Sequence, residues 1–94
     1  MAVYVDSIRP CIPTPNWRWD THCHLVADTL EELHEFARDT LGFPRKWFQA
    51  GSVPHYDLTA SVREWAIKAG AQVIQGRRVL EIGRKLRAEQ EEAA

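Results

Sequence analysis

The chain is short of several features that would assign it to a class at once. It has two cysteines, Cys11 and Cys23, and no C-x-x-C pair. No apolar run approaches the ~18 residues that a membrane-spanning helix needs. The opening residues, MAVYVDSIRP, lack a basic segment followed by a long apolar stretch, so they do not read as a signal peptide. The expected compartment is the cytosol, with both thiols reduced; a Cys11–Cys23 disulfide is the less favoured alternative. Charge of one sign is missing too. The formal net charge is −1, which leaves no broad field to attract nucleic acid or an anionic membrane. A phosphate-binding P-loop, a G-x-G-x-x-G turn and a nucleophile elbow are all absent.

What is present fits one ordinary domain. Ninety-four residues with 45% hydrophobic content can bury a single core. The expected domain is 1–94, with a polar tail at 88–94 that frays. Ala2–Asp6 is β-branched and aromatic and reads as a strand. Pro10, Pro13 and Pro15 break it with an extended loop. Trp17–Ala27 alternates with period two, which puts His22 and His24 on one face and Cys23 on the other. Thr29 with Glu32 forms a capping box ahead of a helix whose stripe is Leu30, Leu33, Ala37 and Leu41. Gly42 and Pro44 stop it.

Lys46–Gln49 reads as a third strand, and Ala50–Pro54 as a loop. His55–Leu58 leads into a second helix capped by Thr59 or Asp57, with Val62, Trp65, Ala66 and Ala69 inward. Trp47 is also expected in the core. Ala71–Ile74 reads as a fourth strand. A basic amphipathic helix then starts at Gly76, with Val79, Leu80, Gly83 and Leu86 inward. The order ββαβαβα predicts an α/β fold, a small single-layer sheet of about four short strands flanked by three helices. If the third and fourth strands are parallel, they form a crossover around the second helix.

Three groups of residues could carry chemistry. His22-x-His24 places two imidazoles about 7 Å apart on a strand face, within reach of one zinc, iron or manganese ion. Further ligands would come from Asp6, His55 and Asp57, at strand ends and a helix start. The bland alternative is an exposed strand face that tolerates histidine. The stretch WFQAGSVPHYDL offers Gln49, His55, Tyr56 and Asp57 for proton transfer or for holding a phosphate. Its plain reading is an inward Tyr56 and a capping Asp57. His34, at the edge of its helix stripe, reads as a structural histidine bonded to a carbonyl or carboxylate. Trp17 and Trp19 flank the proline loop and serve as anchors or as a stacking surface. Arg77, Arg78, Arg84, Lys85 and Arg87 form a solvated basic face, with Arg77 near enough to the helix start to touch a phosphate.

Taken in order, several stretches resemble a known family. They are VYVD (Val3–Asp6), HLVADT-x-EELH (His24–His34), R-x-WFQ (Arg45–Gln49), HYDLT (His55–Thr59), Arg63 and Gly70-Ala71. The family is one of small bacterial and phage proteins, the domain of unknown function four-zero-three-one. The resemblance implies no reaction. It does imply that Asp6, His24, Asp28, His34, Gln49, His55, Tyr56 and Asp57 are the polar positions to weigh. His22 falls outside that pattern, which shifts weight from the H-x-H pair to His24 with His55 and Asp57. Relatives joined to phosphohydrolase-type domains point towards nucleotides or phosphoesters.

These readings converge on a polar pocket that binds a phosphorylated small molecule such as a nucleotide, with a divalent metal as its candidate cofactor. His24, His55 and Asp57 would be catalytic. Gln49, Tyr56 and Arg77 would hold the ligand, and Asp6, His24, His55 and Asp57 would take the metal. If the chain is an enzyme, metal-dependent phosphoester hydrolysis is the expected class. The alternative is a non-catalytic module that binds a protein partner through the Trp17–Trp19 loop and the last helix. Nucleic-acid binding is a weaker third option. A domain this small is also a candidate for homodimerisation.

Overall fold

The computed structural model describes residues 2–93 and has a mixed α/β architecture. Its five strands are β1 (Val3–Val5), β2 (Arg9–Pro10), β3 (Thr21–Ala27), β4 (Tyr56–Leu58) and β5 (Gln72–Val73). Its α-helices among the described residues are α1 (Leu30–Glu35), α2 (Ala60–Lys68) and α3 (Gly76–Ala93). A π-helical stretch, Phe36–Thr40, prolongs α1. β3 is the spine of the sheet and pairs antiparallel with β1, β2 and β4, while β5 adds to β1 in parallel.

The capping signals act as their chemistry requires. Thr29 accepts from the Glu32 amide at 3.1 Å, and Thr59 accepts from the Val62 amide at 3.3 Å. Gly42 adopts a φ of 71°, the left-handed conformation that ends the first helix. Leu33, Ala37 and Leu41 are buried, as the helical spacing predicts.

Four expectations need correction. Arg45–Trp47 is a turn of 3₁₀-helix rather than a strand. The third long-range pairing comes instead from β4, with only an isolated bridge between Gln49 and His55 before it. The crossover therefore joins β4 to β5, and the parallel partner of β5 is β1. Asp57 lies inside β4, so Thr59 alone caps α2. Trp65 and Trp47 are 50% and 52% exposed, and Ala69, also expected inward, is exposed at the end of α2. The buried residue of α2 is Ala66, and Arg63 on the same helix donates to the Asp6 carbonyl at 2.8 Å. The inward stripe of α3 is Val79, Ile82, Gly83 and Leu86, which leaves Leu80 outside.

The expected frayed tail is helical through Ala93, and Ala94 lies outside the described residues. Glu89 anchors this last stretch of α3. Its carboxylate accepts from the Leu30 amide at 3.0 Å and caps the open start of α1. No described helix is long and apolar enough to cross a membrane.

Pairing of the first strand with β3 changes register at one point. Val5 pairs with Leu25, and Arg9 pairs with His22. Asp6–Ile8, three residues, therefore stand opposite Cys23–His24, two residues. This extra residue is a bulge-like break, the device that re-aims a side chain out of a ladder. The side chain it re-aims is Asp6.

Close packing behind the sheet depends on Gly83. A Cβ there would lie 2.9 Å from both Val53 methyl carbons, and Val53 belongs to the loop that leads into His55. Gly83→Ala should lose about 1–3 kcal/mol of stability through overpacking. Gly51→Ala, where a Cβ meets nothing within 4 Å, should be close to neutral. Urea midpoints of the two variants check this; equal midpoints would refute the packing argument.

Candidate functional site

The site is assembled by β3 and β4. His22 and His24 alternate with Cys23, so both lie on the face away from the core, and Cys23 is buried. Burial, with the charge of Asp6 second, pushes the Cys23 thiol up to about 12, so it stays protonated and inert. On β4, Asp57 is the direct cross-strand partner of His24. Neighbours of this kind put their side chains within contact distance on one face. One ligand atom from each of His22, His24 and Asp57 lies within 4.8 Å of the others.

Asp6 stands behind His24. It is 2% exposed, and each carboxylate oxygen is engaged by His24: Oδ1 accepts from the backbone amide at 2.6 Å, and Oδ2 meets ring Nδ1 at 2.7 Å. Burial opposes ionisation of Asp6, but the bonds from the His24 ring and amide outweigh it. Its carboxyl is held below the usual range. With Nδ1 donating to Asp6, the free tautomer of His24 leaves Nε2 as an acceptor facing the neighbouring rings. The His22 and His55 rings stand edge-on to it, with centroids 5.1 and 4.7 Å away.

His55 supports Asp57 from the other side. Its Nδ1 meets the Val53 carbonyl at 2.5 Å, and its Nε2 meets Asp57 Oδ1 at 3.3 Å. Both ring nitrogens thus face acceptors, and only the doubly protonated ring satisfies both. Burial disfavours that cation, but the bonds to Asp57 and Val53 outweigh it, and the His55 pKa is raised. Asp57 is also partly desolvated, yet His55 and then Gln49 pull its pKa down. The Gln49 amide donates to Asp57 Oδ2.

The structure therefore brings together Asp6, His24, Gln49, His55 and Asp57. It separates the roles expected of them. The ligand-atom cluster comprises His22, His24 and Asp57; both oxygens of Asp6 meet His24, and both nitrogens of His55 meet Val53 and Asp57. His22 is in that cluster, contrary to the weight that the resemblance moved away from it, and its Nδ1 is buried without a hydrogen-bond partner. Tyr56 is not in the pocket at all. Period two along β4 turns it to the core, opposite Asp57, where its hydroxyl bonds His34 Nδ1 at 2.8 Å. That bond also corrects the partner expected for His34, a carbonyl or carboxylate.

Two clefts adjoin the cluster. One of about 680 Å³ is lined by Asp6, His24, Gln49 and His55, with Arg9 and Arg77 on its rim. Arg77 is thus near the site, as expected. Arg9, which sequence reasoning passed over, arrives with it through the pairing of β2 with β3. The second cleft, of about 1180 Å³, has His22, His24 and Asp57 at its base and Trp17, Trp19 and Trp47 on its walls.

No curated protein and no solved structure matches the chain. One family profile does, over residues 3–86, under the description Protein of unknown function (DUF4031). That span takes in all of the clustered polar residues, and the chain belongs to this family.

Proposed function

We propose that the chain holds a divalent cation on His22, His24 and Asp57 and uses it to bind a phosphorylated small molecule. One observation carries this reading: two imidazoles and a carboxylate, all half-buried, offer ligand atoms within 4.8 Å of one another on the sheet face away from the core. Neighbouring ligands sit roughly 3.4 Å apart around a zinc ion with bonds of ~2.0–2.1 Å. Small side-chain rotations would close the cluster to that size. The surroundings support the reading. Asp6 fixes the His24 tautomer with Nε2 free, the arrangement that raises a metal-binding histidine's basicity. Two imidazoles and one carboxylate suit zinc, manganese or iron, and leave coordination positions open. Arg9 and Arg77 border the adjoining cleft and favour an anion there.

The corresponding reaction is phosphoester hydrolysis. A divalent ion held by His22, His24 and Asp57 would supply Lewis acidity towards a water and a phosphoryl oxygen. The chain's own groups would do the rest. Arg9 and Arg77 would offset charge on the phosphate, and Asp57 would accept a hydrogen bond from the attacking water. His55, held protonated, would give up the Nε2 proton it shares with Asp57 to the departing alkoxide as the phosphorus–oxygen bond breaks, and the proton lost by the attacking water would pass to solvent.

Metal binding is the first test. Calorimetric titration of purified chain with Mn²⁺ and Zn²⁺ should give one site per chain. His22→Ala, His24→Ala and Asp57→Asn should each abolish it, and Asp6→Asn should weaken it by about 10–100-fold. Unchanged affinity in His22→Ala would sink the three-ligand reading.

Proton affinity is the second. In the metal-free chain, NMR should show His55 titrating above the ordinary histidine value of 6.5. His34, which burial and then the charge of Arg45 disfavour as a cation, should titrate below it. The linked stability effects have opposite signs. His55 stabilises the fold below pH 6.5 and loses that contribution as pH rises through its raised pKa. His34 opposes folding as pH falls below 6.5. Asp6 and Asp57 contribute above 3.8 and lose it as pH drops through their lowered values. Reversal of the two histidine midpoints would contradict the proton-donor role of His55.

A further inference from the structure

The second cleft is lined by indole rings, which the first lacks. It is lined by Trp17, Trp19, Trp47, Phe43, Ile12 and Lys46 together with the His22, His24 and Asp57 cluster. Three of those apolar side chains face solvent: Ile12 is 87%, Trp47 52% and Trp19 42% exposed. Scattered exposed apolar residues need no explanation, but a group gathered in one cleft does. The indoles are also held in place. Trp17 donates from Nε1 to the Thr21 carbonyl at 3.1 Å and meets Trp19 edge-on, with centroids 4.7 Å apart. The Arg18 guanidinium lies 4.9 Å over the Trp19 ring. Trp47 is braced edge-on by Phe43 at 5.0 Å. An edge-on brace occupies at most one face of an indole and leaves the other for a second ring.

The two clefts share His24, Gln49 and His55. Arg9 and Arg77 line one, the indoles and Lys46 line the other, and His24 of the ligand-atom cluster lines both, while His22 and Asp57 line the second. An anion and a flat apolar group fixed to one small molecule match the two ends. We propose that the phosphorylated ligand carries a planar ring, a nucleobase or an aryl group, which lodges among Trp17, Trp19 and Trp47 while its phosphate lies towards Arg9 and Arg77. This deepens the metal-centre reading above and rests on it for the position of the phosphate. The ring contact stands on the tryptophans alone. Stacking on an aromatic side chain tolerates any base, because every base has a π-face. The cleft therefore fits a class of compounds rather than one base.

The test compares ligands that differ by the ring. Mn²⁺ and Zn²⁺ are first titrated into the chain, which reports on the metal reading by itself. AMP, GMP, CMP, UMP and phenyl phosphate are then measured against ribose 5-phosphate, by calorimetry and tryptophan fluorescence. At least one ring phosphate should bind about tenfold or more tightly than ribose 5-phosphate. Trp47→Ala and Trp19→Ala, both at exposed positions, should erase most of that advantage and leave Mn²⁺ and ribose 5-phosphate affinities unchanged. Arg77→Ala should weaken ring phosphates and ribose 5-phosphate alike. With either ion bound, no advantage for any ring phosphate overturns the inference and assigns the tryptophan wall to a protein surface. An advantage that survives Trp47→Ala and Trp19→Ala together also overturns it. If neither Mn²⁺ nor Zn²⁺ binds, the metal reading fails, and adenosine is compared with ribose in the same fluorescence assay. Preference for adenosine that both tryptophan variants lose then upholds the ring contact, and equal binding overturns it.

Discussion

The contact between Asp6 and His24 is the constraint on which the rest of the molecule depends. An ionised carboxylate removed from water costs several kcal/mol unless its lone pairs are met. Here both oxygens are met by one residue, through its amide and its ring. The pair ties the end of β1 to the middle of β3, where the ladder between them is interrupted. Arg63 extends the tie to α2 by donating to the Asp6 carbonyl. A sheet strand, a bulge and a helix are thus fixed relative to one imidazole. The same bonds that make the burial tolerable also set which nitrogen of His24 is free.

Register does the next part of the work. β4 is only three residues long, yet it puts Asp57 opposite His24 and turns Tyr56 and Leu58 into the core. A slip of one residue would exchange these faces and bury the carboxylate in place of the tyrosine. The Tyr56 hydroxyl bond to His34 guards against that slip, since it gives a buried phenol its partner only in the native register. The structural histidine and the chemical ones are coupled in this sense, although they lie on opposite sides of the strand.

Much of this was legible in the sequence, and the rest was hidden for definable reasons. Helix starts and stops follow local chemistry, so Thr29, Thr59 and Gly42 announced themselves. Period two placed His22 and His24 together and Cys23 away. The β4 strand was missed because Tyr-Asp-Leu is too short for a periodicity, and an aspartate two residues before a helix looks like a cap. Lys46–Gln49 misled in the opposite way: aromatic residues suggested a strand, but Pro44 starts a 3₁₀ turn there. Asp6 could be singled out as a polar group ending a strand, but not as a residue spent entirely on His24. That role depends on the register change between Leu25 and His22, a long-range property with no local signal. Arg9 was overlooked for the same reason, because Pro10 beside it reads as a strand breaker. A proline is compatible with pairing at an edge or a bulge.

The location of the site follows from how β3 is covered. Its second half, Leu25–Ala27, is buried on both faces, so every side chain there is apolar. Its first half, Thr21–His24, is covered on one face only, and there the pattern alternates. A small domain has one core, and the helices that build it cannot also screen the whole sheet. The uncovered patch would ordinarily be a solvated strand face. Here β4 contributes a carboxylate to it, a bulge places a second carboxylate behind it, and arginines from β2 and α3 lie in one adjoining cleft and tryptophans in the other. None of these groups contributes much apolar burial, and several cost stability by losing water. Their joint placement on the one face that the core does not need is what argues for a ligand.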